Sequence, residues 1–180
     1  GYTDTINLTG SNTVGETFTG TITVQTQPES TFLGIPAIPL FTELQFTETT
    51  TGASITNRRV DYYTTLATDR NYLGYIDSLT VETVSAVTEA IPQTAKIGDA
   101  GVIGAYTDNA GNVDSRSWRM DDAGDGFANR VELSTVTDQM GDVTETSVST
   151  TKIDVNGNVL SYELVIYNAN TDVTATLTGN

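Results

Sequence analysis

Neither cysteine nor histidine occurs in these 180 residues, and lysine occurs only twice. Without a thiol or an imidazole there is no thiolate nucleophile, no Cys or His metal site and no imidazole general base. Basic side chains number 8 against 23 acidic ones, a formal net charge of −15. Nucleic acid and anionic lipid are recognised by basic patches that displace counterions, so neither is expected as a partner. No stretch reaches the roughly 20 consecutive apolar residues of a membrane-spanning helix. Proline is scarce too: there are four, and three of them fall within residues 27–41. The lack of cysteine leaves the redox compartment open, because a cytosolic chain and a disulfide-free exported one look alike by this measure. The chain starts at Gly1 with no charged-then-apolar leader. It reads as a mature segment separated from any targeting peptide.

What is abundant is threonine, at 34 residues, with 12 asparagines and 16 glycines. Threonine is β-branched and favours strands, while Asn and Gly favour turns, so the composition points to an all-β chain. Disorder is the competing reading of so acidic and polar a sequence. It loses to the 14 aromatic residues, which sit within β-branched runs along the whole chain.

In the second half, turn-forming clusters recur at Asp108–Asn112, Asp121–Gly126, Asp138–Asp142, Asp154–Asn158 and Asn168–Asp172. They leave segments long enough for hairpin-connected strands at 101–107, 113–120, 127–137, 143–153, 159–167 and 172–178. Period-two alternation marks one face apolar: Leu160, Tyr162, Leu164 and Ile166 in one strand, and Val173, Ala175 and Leu177 in the next. Trp118 and Met120 share a face, with burial of Trp118 expected against 127–137 or 159–167. The polar segment 143–153 reads as an edge strand, or one that covers little core.

In the first half, Phe18, Ile22 and Val24 alternate with threonines, and further strands are expected at 41–50, 54–67 and 72–84. Residues 85–97, ended by Pro92, read as a short helical or irregular connection. One domain over 1–180 is expected, with 85–97 the place of any division. The fold expected is an antiparallel meander of about 10–11 strands, forming a barrel or open half-barrel, with a two-sheet β-sandwich as the alternative.

Two segments stand out as candidate contact surfaces for a ligand or partner. Residues 27–41 carry Phe32, Leu33, Ile35, Ile38 and Leu40 without period two, and Pro36 and Pro39 argue against a central strand there. The segment reads as a plug across an open end of the sheet, against the alternative of a mobile apolar lid or docking loop. The second is a tyrosine hairpin turning at Thr68–Asn71, which would place Tyr63, Tyr72 and Ile76 on one face and Tyr62 and Tyr75 on the other. Cross-strand aromatic pairs stabilise sheets, and a face left outside the core could stack on a sugar or an aliphatic ligand.

Enzymatic signatures are weak. Residues Asp121, Asp125, Gly126 and Glu132 match four positions of an EF-hand-type loop, but Ala123 stands where a central oxygen ligand belongs, so no metal site is expected. Carboxylate pairs would serve glycoside hydrolysis, yet among 23 acids some pair always fits. No Ser-x-x-Lys signature accompanies Lys96 or Lys152, and Asn7-Leu8-Thr9 is a chance-level glycosylation triplet in so Thr-rich a chain. No cofactor is expected.

The run Ile91–Gly101, leading into Tyr106–Asn112 and Trp118, resembles uncharacterised exported β-rich proteins of Gram-negative bacteria, many with lipoprotein-type leaders. The resemblance covers roughly the C-terminal half. It implies an extracytoplasmic location (periplasm, outer envelope or secreted) and no activity, and any lipidated cysteine would lie upstream of Gly1. The expected role is a non-catalytic binding module for a small apolar ligand or a glycan. The alternatives are a protein-interaction module acting through sheet edges or the 27–41 loop, and, last, a carboxylate hydrolase.

Overall fold

The computed structural model describes residues 2–65, 70–77, 81–92 and 94–180, apart from the side chains of 81–88. Thirteen strands follow one another, with no helix among the described residues: β1 (Thr3–Asn12), β2 (Thr17–Thr26), β3 (Ser30–Phe32), β4 (Ile35–Glu48), β5 (Ser54–Thr64), β6 (Tyr72–Asp77), β7 (Val81–Thr88), β8 (Ala100–Thr107), β9 (Val113–Asp122), β10 (Ala128–Thr137), β11 (Val143–Ile153), β12 (Val159–Asn168) and β13 (Val173–Gly179). All lie in one antiparallel sheet, which curls into a barrel shape. From β4 to β13 each strand pairs with the next, β13 pairs with β1, β1 with β2, and β2 with β4. The short β3 is a hairpin extension of β4. The thinnest seam flanks β7, which holds β6 and β8 through three register pairs each among the described residues.

The expected C-terminal meander is present within two residues at every strand boundary. Three local readings are corrected. Residues 85–88, expected in a helical or irregular connection, belong to strand β7, the expected strand 72–84 is divided between the antiparallel β6 and β7, and irregular backbone covers 89–92 and 94–99. Strand β11 is no edge: β10 flanks it on one side and β12 on the other. Its inner positions Glu145, Ser147, Ser149 and Thr151 are polar, so it does cover little apolar core.

The third correction concerns 27–41, which is a hairpin and not a plug. Strand β4 passes through both prolines because its neighbour is interrupted beside them. Thr26 pairs with Leu40 and Ser30 with Ala37, so residues 27–29 step out of the ladder opposite Pro39. The missing Pro39 N–H therefore faces a gap, while its carbonyl accepts the Gln27 N–H at 2.9 Å. Pro36 lies beyond the β4–β5 ladder. Proline is excluded from a strand only where its absent donor is needed.

Curvature is concentrated at three glycines on β13, β1 and β2. A Cβ on Gly10 would lie 2.0 Å from the Thr176 carbonyl oxygen, on Gly20 2.0 Å from that of Gln45, and on Gly179 2.2 Å from that of Asn7. Neighbouring strands fold onto these positions, which only a residue without a side chain allows.

Sharp turns of one design close much of one end. In Asn12–Glu16, Asp108–Asn112 and Asp138–Asp142 the first side chain accepts the N–H groups two and four residues on, and a left-handed glycine follows at the fourth position. Asp154–Asn158 repeats the arrangement at the opposite end. Asx side chains mimic a backbone turn in this way, and glycine supplies the positive φ that follows. The long connection between β7 and β8 runs at that opposite end.

Candidate functional site

Alternation and register assign the two faces of the wall. Strands β12, β13, β1, β2 and β4 turn apolar residues inward, where Leu8, Ile22 and Leu177 are buried and Ile6, Phe18, Val24, Leu44, Tyr162 and Leu164 pack against them half-buried. Outward, β1, β2 and β13 present Thr5, Thr9, Thr21, Thr23, Thr174 and Thr176. A lipid-facing barrel has an apolar outer band and a polar interior. Here the apolar wall is inside and the hydroxyls outside.

Eight strands make a barrel just wide enough for side chains to fill, and twelve make a wider one. The accessible surface is 10133 Å². A compact chain of this mass would expose about 8,400 Å². A curved wall whose inner apolar side chains are only partly covered contributes to the excess.

Opposite the apolar wall, β5, β6, β8 and β9 enclose charge. Arg59 donates to Asp61 from Nε at 2.8 Å and from Nη2 at 2.5 Å. The Tyr72 hydroxyl donates to Asp61 Oδ1 at 2.6 Å and accepts from Arg116 Nη1 at 3.1 Å. Arg116 also donates from Nε to Asp114 Oδ2 at 2.6 Å, and Ser134 Oγ donates to Asp114 Oδ1 at 2.5 Å. The guanidinium of Arg116 lies over the rings of Tyr72, Tyr75 and Tyr106 at 5.2–5.4 Å, and that of Arg59 over Tyr75 at 4.1 Å. Two cations and two anions thus neutralise one another, with Asp61, Asp114 and Arg116 largely desolvated and Arg59 about a third exposed at 32%.

The proton affinities follow. Burial works against the charge on Arg116, but Tyr72, Asp114 and Asp61 outweigh it and hold the guanidinium protonated. Burial, then Asp61, raises the Tyr72 phenol well above its ordinary value. Tyr63 is raised by burial with the charges of Asp61 and Glu132, and Tyr162 is pushed up to about 12 by burial and Glu132. On the next part of the wall, burial and then the charge of Asp114 raise the Glu145 carboxyl.

Two bulges aim the tyrosines. Register shifts between Tyr62 and Tyr63, opposite Gly74 at φ 137°, and between Val102 and Gly104 at φ 154°. Each reverses the alternation, which corrects the expected tyrosine hairpin: Tyr63, Tyr72 and Tyr75 share the inner face, while Ile76 is exposed. Thr68 and Asp69 of the expected turn lie outside the described residues. Trp118 is half-buried on the inner face, packed against the Tyr72–Ile103–Tyr106 cluster, with Glu132 of the expected strand 127–137 as its register partner.

The candidate contact residues divide between the two sides of the wall. Ile38 and Leu40 pair with Tyr63 and Asp61 and so lie inside with Tyr72 and Tyr75. Phe32 and Tyr62 lie outside, stacked with ring centroids 4.5 Å apart and packed on Ala37 and Leu73. At the hairpin tip Leu33 is 66% exposed, at φ 49°, and Ile35 is 47% exposed. The reading of the sequence missed Arg59, Asp61, Asp114, Arg116 and Ser134 altogether. The signal was there: Arg59-Val60-Asp61 and Asp114-Ser115-Arg116 each place opposite charges two apart, on one face of a strand.

In the acidic turn, Asp121 pairs with Arg119 at 2.9 Å and Asp122 accepts the Gly124 N–H at 2.8 Å. Among the described residues no three acidic side chains gather as metal ligands. No protein-family model, curated protein or solved structure matches the chain.

Proposed function

We propose that the protein is a non-catalytic, extracytoplasmic binding module whose barrel interior receives a small apolar or amphipathic ligand. The observation that carries this is the divided inner wall. Half-buried Ile6, Phe18, Leu44 and Leu164 line one side, and the self-neutralised Arg59–Asp61–Arg116–Asp114 cluster stands on the other. An alkyl chain of eight carbons laid on the apolar wall would gain about 6 kcal/mol, equivalent to a Kd of tens of micromolar. The cluster side of the wall, polar and without net charge of its own, would meet a neutral polar head. An anionic head would face Glu132 and Glu145 within a chain of net charge −15. The ion pairs hold the cluster in shape and occupy Asp61 and Asp114, which supports binding over catalysis by these two carboxylates.

Titration with the neutral fluorophore N-phenyl-1-naphthylamine tests this reading. Saturable binding is expected, weakened at least about tenfold by Leu164→Gln. Absence of saturation, or identical affinity in the variant, would count against an interior site.

A further inference from the structure

We propose a second site, on the outer wall of β2, β4 and β5, that binds an extended neutral oligosaccharide. It is independent of the interior reading. Where residues 27–29 leave the ladder, a hollow of about 540 Å³ opens beside the exposed part of the Tyr62 ring. Its floor is apolar and aromatic: Phe41 and Val60 continue from Tyr62, which the Phe32 stack holds rigid from behind. Its rim is Gln25, Gln27 and Ser30. Among the described residues none of these three side chains spends its hydrogen-bonding groups within the protein. Pockets combining aromatic surface with a few unspent polar groups fit ligands that are apolar on one face and hydroxylated at the edge. A pyranose ring has that form.

The chain length of the ligand follows from a second hollow, of about 460 Å³, on the same three strands, lined by hydroxyls of Thr21, Thr47, Ser54 and Thr56 with the Gln45 amide. From Phe41 to Gln45 the facing edges of the two hollows lie about 13 Å apart along β4. A single sugar cannot reach both; a chain of several can. Between them stands the Glu43–Arg58 pair, which already satisfies its own charge. With 23 acids in the protein, acidic sugars would be repelled.

The test is a titration of the intact protein with cellotetraose, chitotetraose, maltotetraose and tetragalacturonate, followed through the Gln side-chain amide NMR signals. At least one of the three neutral sugars is expected to saturate below about 1 mM and to shift Gln25 and Gln27. The acidic sugar should bind at least about tenfold more weakly. Tyr62→Ala could unfold the hairpin, so the deciding variant is Gln25→Ala with Gln27→Ala, both on the rim, expected to lose at least about tenfold in affinity. No saturation by any neutral sugar up to about 10 mM overturns the proposal. So does binding that the rim variant leaves intact, or tighter binding of the acid. Probe binding in the interior should be unchanged by the rim variant, so either reading can fail without the other.

Discussion

At the scale of single residues, the buried charges carry the most energy. Arg116 touches Asp114 and Tyr72 and lies 3.8 Å from Asp61, with little of its side chain accessible. Its removal leaves two carboxylates inside the barrel with one guanidinium between them. Breaking a buried pair costs about 3–5 kcal/mol, so Arg116→Met should lower the unfolding free energy by that amount. Removing both partners is far cheaper, and Arg116→Met with Asp114→Asn should recover much of the loss. Urea melts of the two variants decide it; a single variant within about 1 kcal/mol of wild type would show that the pair is not desolvated. The tyrosines give a pH prediction. Folding raises the Tyr162 phenol from 10.0 to about 12, so the folded state prefers the neutral form. That stability is complete below pH 10 and lost as the pH rises toward 12, where the unfolded chain ionises first. Glu48 works in the opposite sense. Its carboxylate accepts the Thr51 hydroxyl and the N–H groups of Thr50 and Thr51, which hold it down to about 2 from 4.5. Its contribution is complete above 4.5 and lost as the pH falls toward 2, and Glu48→Gln should flatten the acid limb of a stability–pH profile.

At the scale of elements, turn chemistry was the most legible part of the sequence. The Asp-x-x-Gly-x clusters mark hairpins because the side chain supplies the turn's hydrogen bonds, and strand boundaries followed from them within two residues. Less legible was whatever depended on a neighbour. Pro36 and Pro39 looked like breakers because a sequence does not show that residues 27–29 leave a gap beside them. The tyrosine faces came out wrong because each bulge shifts the alternation by one, and nothing local announces a bulge except a glycine. The ion-pair motif with period two was readable and went unread, since charged residues in strands usually face water. Asp138→Ala should cost about 1–2 kcal/mol by releasing the Met140 and Asp142 N–H groups, measured by thermal melts against the same change at Asp125, which accepts no such pair. Equal losses at both would deny the turn motif any special role.

At the scale of the whole molecule, closure rests on places where no side chain fits. Gly20→Ala would drive a methyl group into the Gln45 carbonyl and the Phe46 backbone. A loss of at least about 2–3 kcal/mol is expected, with weakened binding of an interior ligand as the β2–β4 ladder opens. The unequal distribution of charge acts at the same scale. Two of the few cations are spent inside on Asp61 and Asp114, an even exchange that leaves the net charge of −15 unbalanced elsewhere and should make moderate salt stabilising. Binding in the interior requires that the inner wall be the surface that takes up an apolar molecule. Intermolecular NOEs from a bound neutral alkyl probe, such as octyl glucoside below its micellar concentration, to assigned methyl groups measure this directly. Contacts from the alkyl chain to the half-buried Ile6, Val24, Leu44 and Leu164 are the expected result. Contacts confined to Leu33 and Ile35 at the hairpin tip, or no contacts at all, would contradict it.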